Sequence, residues 1–106
     1  AYQREVTIME EIIRYFIEEK GVTEVVAKVL ARPLTKYEDI REEFLYWLRH
    51  RTYDKEAPLS VQGYTAEQIH EIAPFLDAAG VYNFMVTLRE DPEKAQGYIQ
   101  NGFPRK

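Results

Sequence analysis

The chain contains no cysteine. That absence excludes disulfide frameworks, thiol nucleophiles, iron–sulfur clusters and zinc sites built on thiolates. Serine is almost as scarce. Ser60 is the only one, and no glycine-flanked strand-to-helix turn surrounds it, so the sequence offers no exposed serine nucleophile of the hydrolase type. The five glycines, at positions 21, 63, 80, 97 and 102, are scattered, and none precedes a Lys-Ser or Lys-Thr pair, so no phosphate-cradling loop is present. Long apolar runs are missing too: the stretch from Phe44 to Leu48 is far short of the ~20 residues a membrane span needs. Arg4, Glu5, Glu10 and Glu11 break any leader-like run at the start, so a cytoplasmic location is expected.

An excess of positive charge is also lacking. Fourteen Lys and Arg face eighteen Asp and Glu, a net charge of −4, which argues against a nucleic-acid binder working by bulk attraction. What is present is a globular composition. Of the 106 residues, 45% are hydrophobic and 30% charged, enough for one domain over residues 1–106 with a single core.

Helical punctuation dominates the chain. Val6, Met9, Ile13 and Phe16, widened by Ile12 and Ile17, predict a first helix over about Gln3 to Lys20, closed by Gly21. Thr23 caps a short second helix through Val26, Val29 and Leu30, which Pro33 is expected to stop. Thr35 with Glu38 fits a capping box, so the third helix is expected from Lys36, burying Tyr37, Ile40, Phe44, Trp47 and Leu48.

Residues 52–63 read as a long connecting loop, in which Leu59 and Val61 can pack back on the core or form a short extended piece. Thr65 and Gln68 make another capping box, and Pro74 should kink or end the helix it opens. A further helix resumes after Asp77 and ends near Arg89. Asp91 followed by Pro92 starts a last one, ended by Asn101-Gly102, with 103–106 as a tail. The expected fold is all-α: a bundle-like domain of five or six helices with little or no sheet, its core built on the first and third helices.

Chemistry-bearing groups are sparse. His50 and His70 are the only histidines and do not stand at i, i+4, so no metal and no cofactor is expected and the chain reads as non-catalytic. Aromatic residues, in contrast, reach 13%, with eight tyrosines. Tyrosine and arginine are enriched where proteins bind one another. Tyr46, Arg49, Arg51, Tyr53 and Tyr64 are therefore the candidate partner-binding residues, for a protein partner or for self-association. The alternative is a small helix-turn-helix DNA-binding regulator over residues 63–89. Its second helix would present Tyr82, Asn83, Met85, Thr87 and Arg89, but a single base there disfavours nucleic acid.

Overall fold

A hydrophobic helix with no charge until its last two residues has only a narrow polar line to show water, and most of it must lie inside the fold. The segment Ala78–Glu90 is that helix. In the computed structural model, which describes residues 2–103, it is α5 in the order α1 (Tyr2–Lys20), α2 (Glu24–Thr35), α3 (Glu38–His50), β1 (Ser60–Val61), β2 (Tyr64–Thr65), α4 (Ala66–Ile72), α5 (Ala78–Glu90) and α6 (Pro92–Asn101). Helix α5 buries Val81, Tyr82, Phe84, Met85, Val86 and Leu88 and packs against α2, α3, α4, α6 and β1. The fold is all-α with one two-residue hairpin. Its centre is α5, and not α1 and α3 as the hydrophobic spacing implied.

Most helix starts follow local chemistry. The Thr23 hydroxyl accepts from the Val26 amide at 3.3 Å, and Asp77 Oδ1 accepts from the Gly80 amide at 2.8 Å. Thr65 and Gln68 form the complete reciprocal box, at 3.2 and 3.0 Å. Asp91 caps α6 through the Lys94 amide at 3.3 Å, with Pro92 in the first turn. Helix α4 ends at Ile72, two residues before Pro74.

The end of α2, the start of α3 and the inward face of α1 differ from expectation. Pro33 does not stop α2. It is the third residue from the end, and the carbonyl it deprives of an amide partner belongs to Val29, which lies on the exposed side of the helix. Because α2 runs on to Thr35, that hydroxyl donates back to the Arg32 carbonyl at 3.0 Å and caps nothing. Helix α3 therefore starts at Glu38, behind Tyr37, with no side-chain cap. The inward face of α1 is also turned by part of a turn. Ile8, Ile12, Tyr15 and Phe16 are buried, while Met9 and Ile17 look outward.

The connection after α3 is ordered by its own polar groups. Asp54 Oδ1 accepts from the amides of Glu56 and Ala57 at 3.0 and 3.2 Å, and the half-buried Glu43 carboxylate takes the Leu59 amide. The last residues of the 52–63 segment are strand and turn. Val61 is buried opposite Tyr64, and Gln62 and Gly63 both take positive φ, 52° and 85°, as a two-residue hairpin requires. Phe103, assigned to a tail, packs on Phe84 with ring centroids 4.7 Å apart; residues 104–106 lie outside the described part.

Candidate functional site

The basic end of α3 folds back on α1. The Arg51 backbone takes the left-handed conformation (φ 58°) that closes the helix, and its amide donates to the Trp47 carbonyl at 2.7 Å. Its guanidinium lies 4.8 Å from the Trp47 ring and pairs with Glu19 through both nitrogens, one contact being 2.8 Å. Hydrogen bonding from Arg51 holds the Glu19 carboxyl below its ordinary value. Arg49 grips Glu11 in the same two-pronged way, at 3.2 and 3.0 Å. Both arginines thus tie α3 to α1 across 38 and 32 residues of chain.

The five candidate residues separate into three places. Arg51 and Tyr53 share an open cleft of about 560 Å³ with Tyr15, Trp47 and His70. The Tyr53 hydroxyl shares a 3.1 Å hydrogen bond with His70 Nδ1, and burial raises its pKa. Tyr46, Arg49 and Tyr64 do not line that cleft. Tyr46 stacks on His50 at 4.1 Å and Tyr64 stands in the hairpin, half-buried. The three cations of the cleft are each matched: Lys20 by Asp77, Arg51 by Glu19, and Lys55 by Glu67 at 3.5 Å. A site so balanced has little net pull on an ion of either sign. Among the described residues, no group of three or more His, Asp and Glu is placed to hold a metal ion.

The helix-turn-helix segment is differently disposed. Tyr82 and Met85 are fully buried, Tyr82 lies against Phe44 at 5.5 Å, and burial pushes its hydroxyl far above the ordinary phenol value. Arg89 is held by Asp39 at 2.6 and 2.7 Å. Of the candidate reading residues, Asn83 alone is exposed and Thr87 is half-exposed.

A surface that spacing alone assigned to the core lies on α2. Here Ala27, Ala31 and Leu34 face inward. Val25, Val26, Val29 and Leu30 are left 74%, 43%, 58% and 42% exposed. Small alanines on the inner side let α2 lie close to its neighbours, and the larger valines ride outside. The signal was present, because Ala27, Ala31 and Leu34 keep a second stripe at helical spacing. Spacing identifies stripes, and α2 has two of them.

The outer stripe continues into a groove. Leu30, Phe16, Leu34 and Ala79 line a hollow of about 280 Å³, rimmed by Lys20 and Asp77. Through Gly80 and Asn83 it meets a second hollow of about 230 Å³, walled by the exposed Phe75 with Phe84 and Phe103. Exposed aliphatic and aromatic side chains beside the Lys20 and Asp77 rim make this the candidate contact surface. Compared with protein-family models, with curated proteins and with solved structures, the chain finds no match. The functional reading therefore rests on these surfaces.

Proposed function

We propose that the chain is a non-catalytic helical interaction or regulatory module of the cell interior, and that its principal contact surface is the outer face of α2 with the adjoining groove. The supporting observation is the inversion on α2: four large aliphatic side chains stand in water while two alanines occupy the inner side. Leaving that surface wet forgoes the ~25 cal/mol per Å² that covering it returns. The arginine and tyrosine group around Arg51 and Tyr53 reads chiefly as a clasp between α1 and α3, since its charges are satisfied internally. DNA binding through α5 is disfavoured by the burial of Tyr82 and Met85 and by the pairing of Arg89.

Capture from a lysate of the source cell, with and without nuclease, tests this reading. The wild-type chain should retain a protein that survives nuclease treatment. The double variant Val25→Ser/Val29→Ser should lose it while melting within a few degrees of wild type, because both side chains are exposed. Retention by that variant, with loss on Arg49→Ala and Tyr53→Ala instead, would return the contact surface to the end of α3. Capture that collapses on nuclease treatment would favour the DNA-binding alternative.

A further inference from the structure

We infer that the outer face of α2 is self-complementary and pairs with the same face of a second copy of this chain, antiparallel about a two-fold axis passing near Ala27 and Lys28. The inference rests on the reading of α2 as the contact face and names its occupant. Its first support is the order of the apolar residues. Val25 and Val26 precede the point between Ala27 and Lys28 by as much as Val29 and Leu30 follow it, and Pro33 extends the stripe beyond Leu30. Reversing the helix therefore superposes aliphatic positions on aliphatic positions, which a two-fold contact demands of a single surface.

The second support is charge. Glu24, Lys28 and Arg32 stand one turn apart along one flank of the stripe, the acid at its start and the base at its end. A two-fold axis across the helix brings like flanks together with reversed direction, so Glu24 of one copy comes beside Arg32 of the other, twice. Within one copy Glu24 pairs with Lys28 at 3.0 Å, and Arg32 makes no ion pair with another described residue, so the contact adds Arg32 of the second copy as a further cation on the Glu24 carboxylate. A parallel two-fold pairing brings opposite flanks together and leaves Glu24 and Arg32 of the two copies on opposite edges of the contact. Antiparallel packing is the arrangement that joins these charges.

The size of the face sets the strength. Twelve residues make a ridge roughly 18 Å long at 1.5 Å per residue. At a helix width of ~10–12 Å that ridge covers on the order of 200 Å², small beside the ~800 Å² per partner of a stable complex even with Ile13 and Ile17 of α1 alongside, so the dimer should dissociate on dilution through the range of roughly 1–100 μM.

Sedimentation equilibrium of the purified chain over that range, in low salt, is the test. Wild type should pass from monomer to dimer. Val25→Ser/Val29→Ser should weaken association by at least about tenfold, equivalent to ~1.4 kcal/mol. Glu24→Lys and Arg32→Glu should each weaken it, and the two together should restore it, because the exchange rebuilds both pairs across the axis. Helix content by circular dichroism guards each variant against simple unfolding. A monomer at every concentration overturns the inference, as does a dimer indifferent to the valine changes or a charge exchange that fails to restore association. If the chain is monomeric yet Val25→Ser/Val29→Ser abolishes capture of another protein, the contact face stands and only its occupant is wrong. If neither assay responds to those changes, both fall.

Discussion

Phe44 and Trp47 are neighbours on α3 with opposite relations to water. Phe44 is fully buried between Tyr15 and Tyr82, at 5.6 and 5.5 Å. Trp47 is half-exposed, edge-on to Tyr15 and covered on one face by the Arg51 guanidinium. Spacing placed both in the core, since it reports which residues share a side of a helix but not where the neighbouring helix ends. Phe44→Ala should therefore cost ~3–5 kcal/mol, the range for emptying a well-packed aromatic site. Trp47→Ala should cost visibly less, because only part of its surface leaves water. Urea unfolding of the two variants checks this ranking, and an equal or larger loss at Trp47 would move the centre of the fold back to α3. Tyr82 teaches the same lesson from the other side. A tyrosine followed by asparagine looks like surface in a sequence, yet Tyr82 faces inward on a helix packed against α2, α3, α4 and α6.

At the level of the helices, most starts were legible, while the end of α2, the start of α3 and several buried faces were not. Thr23, the Thr65–Gln68 box, Asp77 and Asp91-Pro92 declare helix starts through interactions spanning three residues, which any sequence displays. Ties between distant helices are invisible at that range: Lys20–Asp77 joins the end of α1 to the start of α5, and Arg89–Asp39 joins the end of α5 to the start of α3. Burial works to raise the Asp77 carboxyl, but the Lys20 ammonium and the Gly80 amide outweigh it and hold it below its ordinary value. The Arg89 hydrogen bonds do the same for Asp39. A carboxyl held low in the folded chain contributes stability that is present above the unfolded value of about 3.8 and is lost as pH falls through the folded one. Thermal stability should accordingly fall steeply below about pH 4. Asp77→Asn keeps an N-cap oxygen but removes the charge, so it should lower stability at pH 7 and flatten that acid slope. An unchanged slope in thermal melts from pH 2 to 7 would show the Lys20–Asp77 tie to be ornamental.

Over the whole molecule, the arrangement divides the surface into a saturated side and an unsaturated one. Around α3 the cations are spoken for, by Glu11, Glu19 and Asp39 at contacts reaching across the chain, so Arg49 and Arg51, candidates for partner binding in the sequence, serve the fold. Around α2, aliphatic side chains have no cover, and the groove beside them leads to the exposed Phe75. Local sequence could not tell these sides apart, because the difference lies in what the other helices leave uncovered. A dilution series of backbone amide NMR spectra tests this division most directly, from millimolar to micromolar chain. Shift changes should concentrate on residues 22–33, with smaller ones at the groove residues Phe16, Ala79 and Gly80, while Tyr46, Arg49, Tyr53 and Tyr64 stay fixed. Changes centred on residues 46–64, or spectra that do not respond to concentration at all while Val25→Ser/Val29→Ser leaves every partner bound, would contradict the assignment of α2 as the contact face.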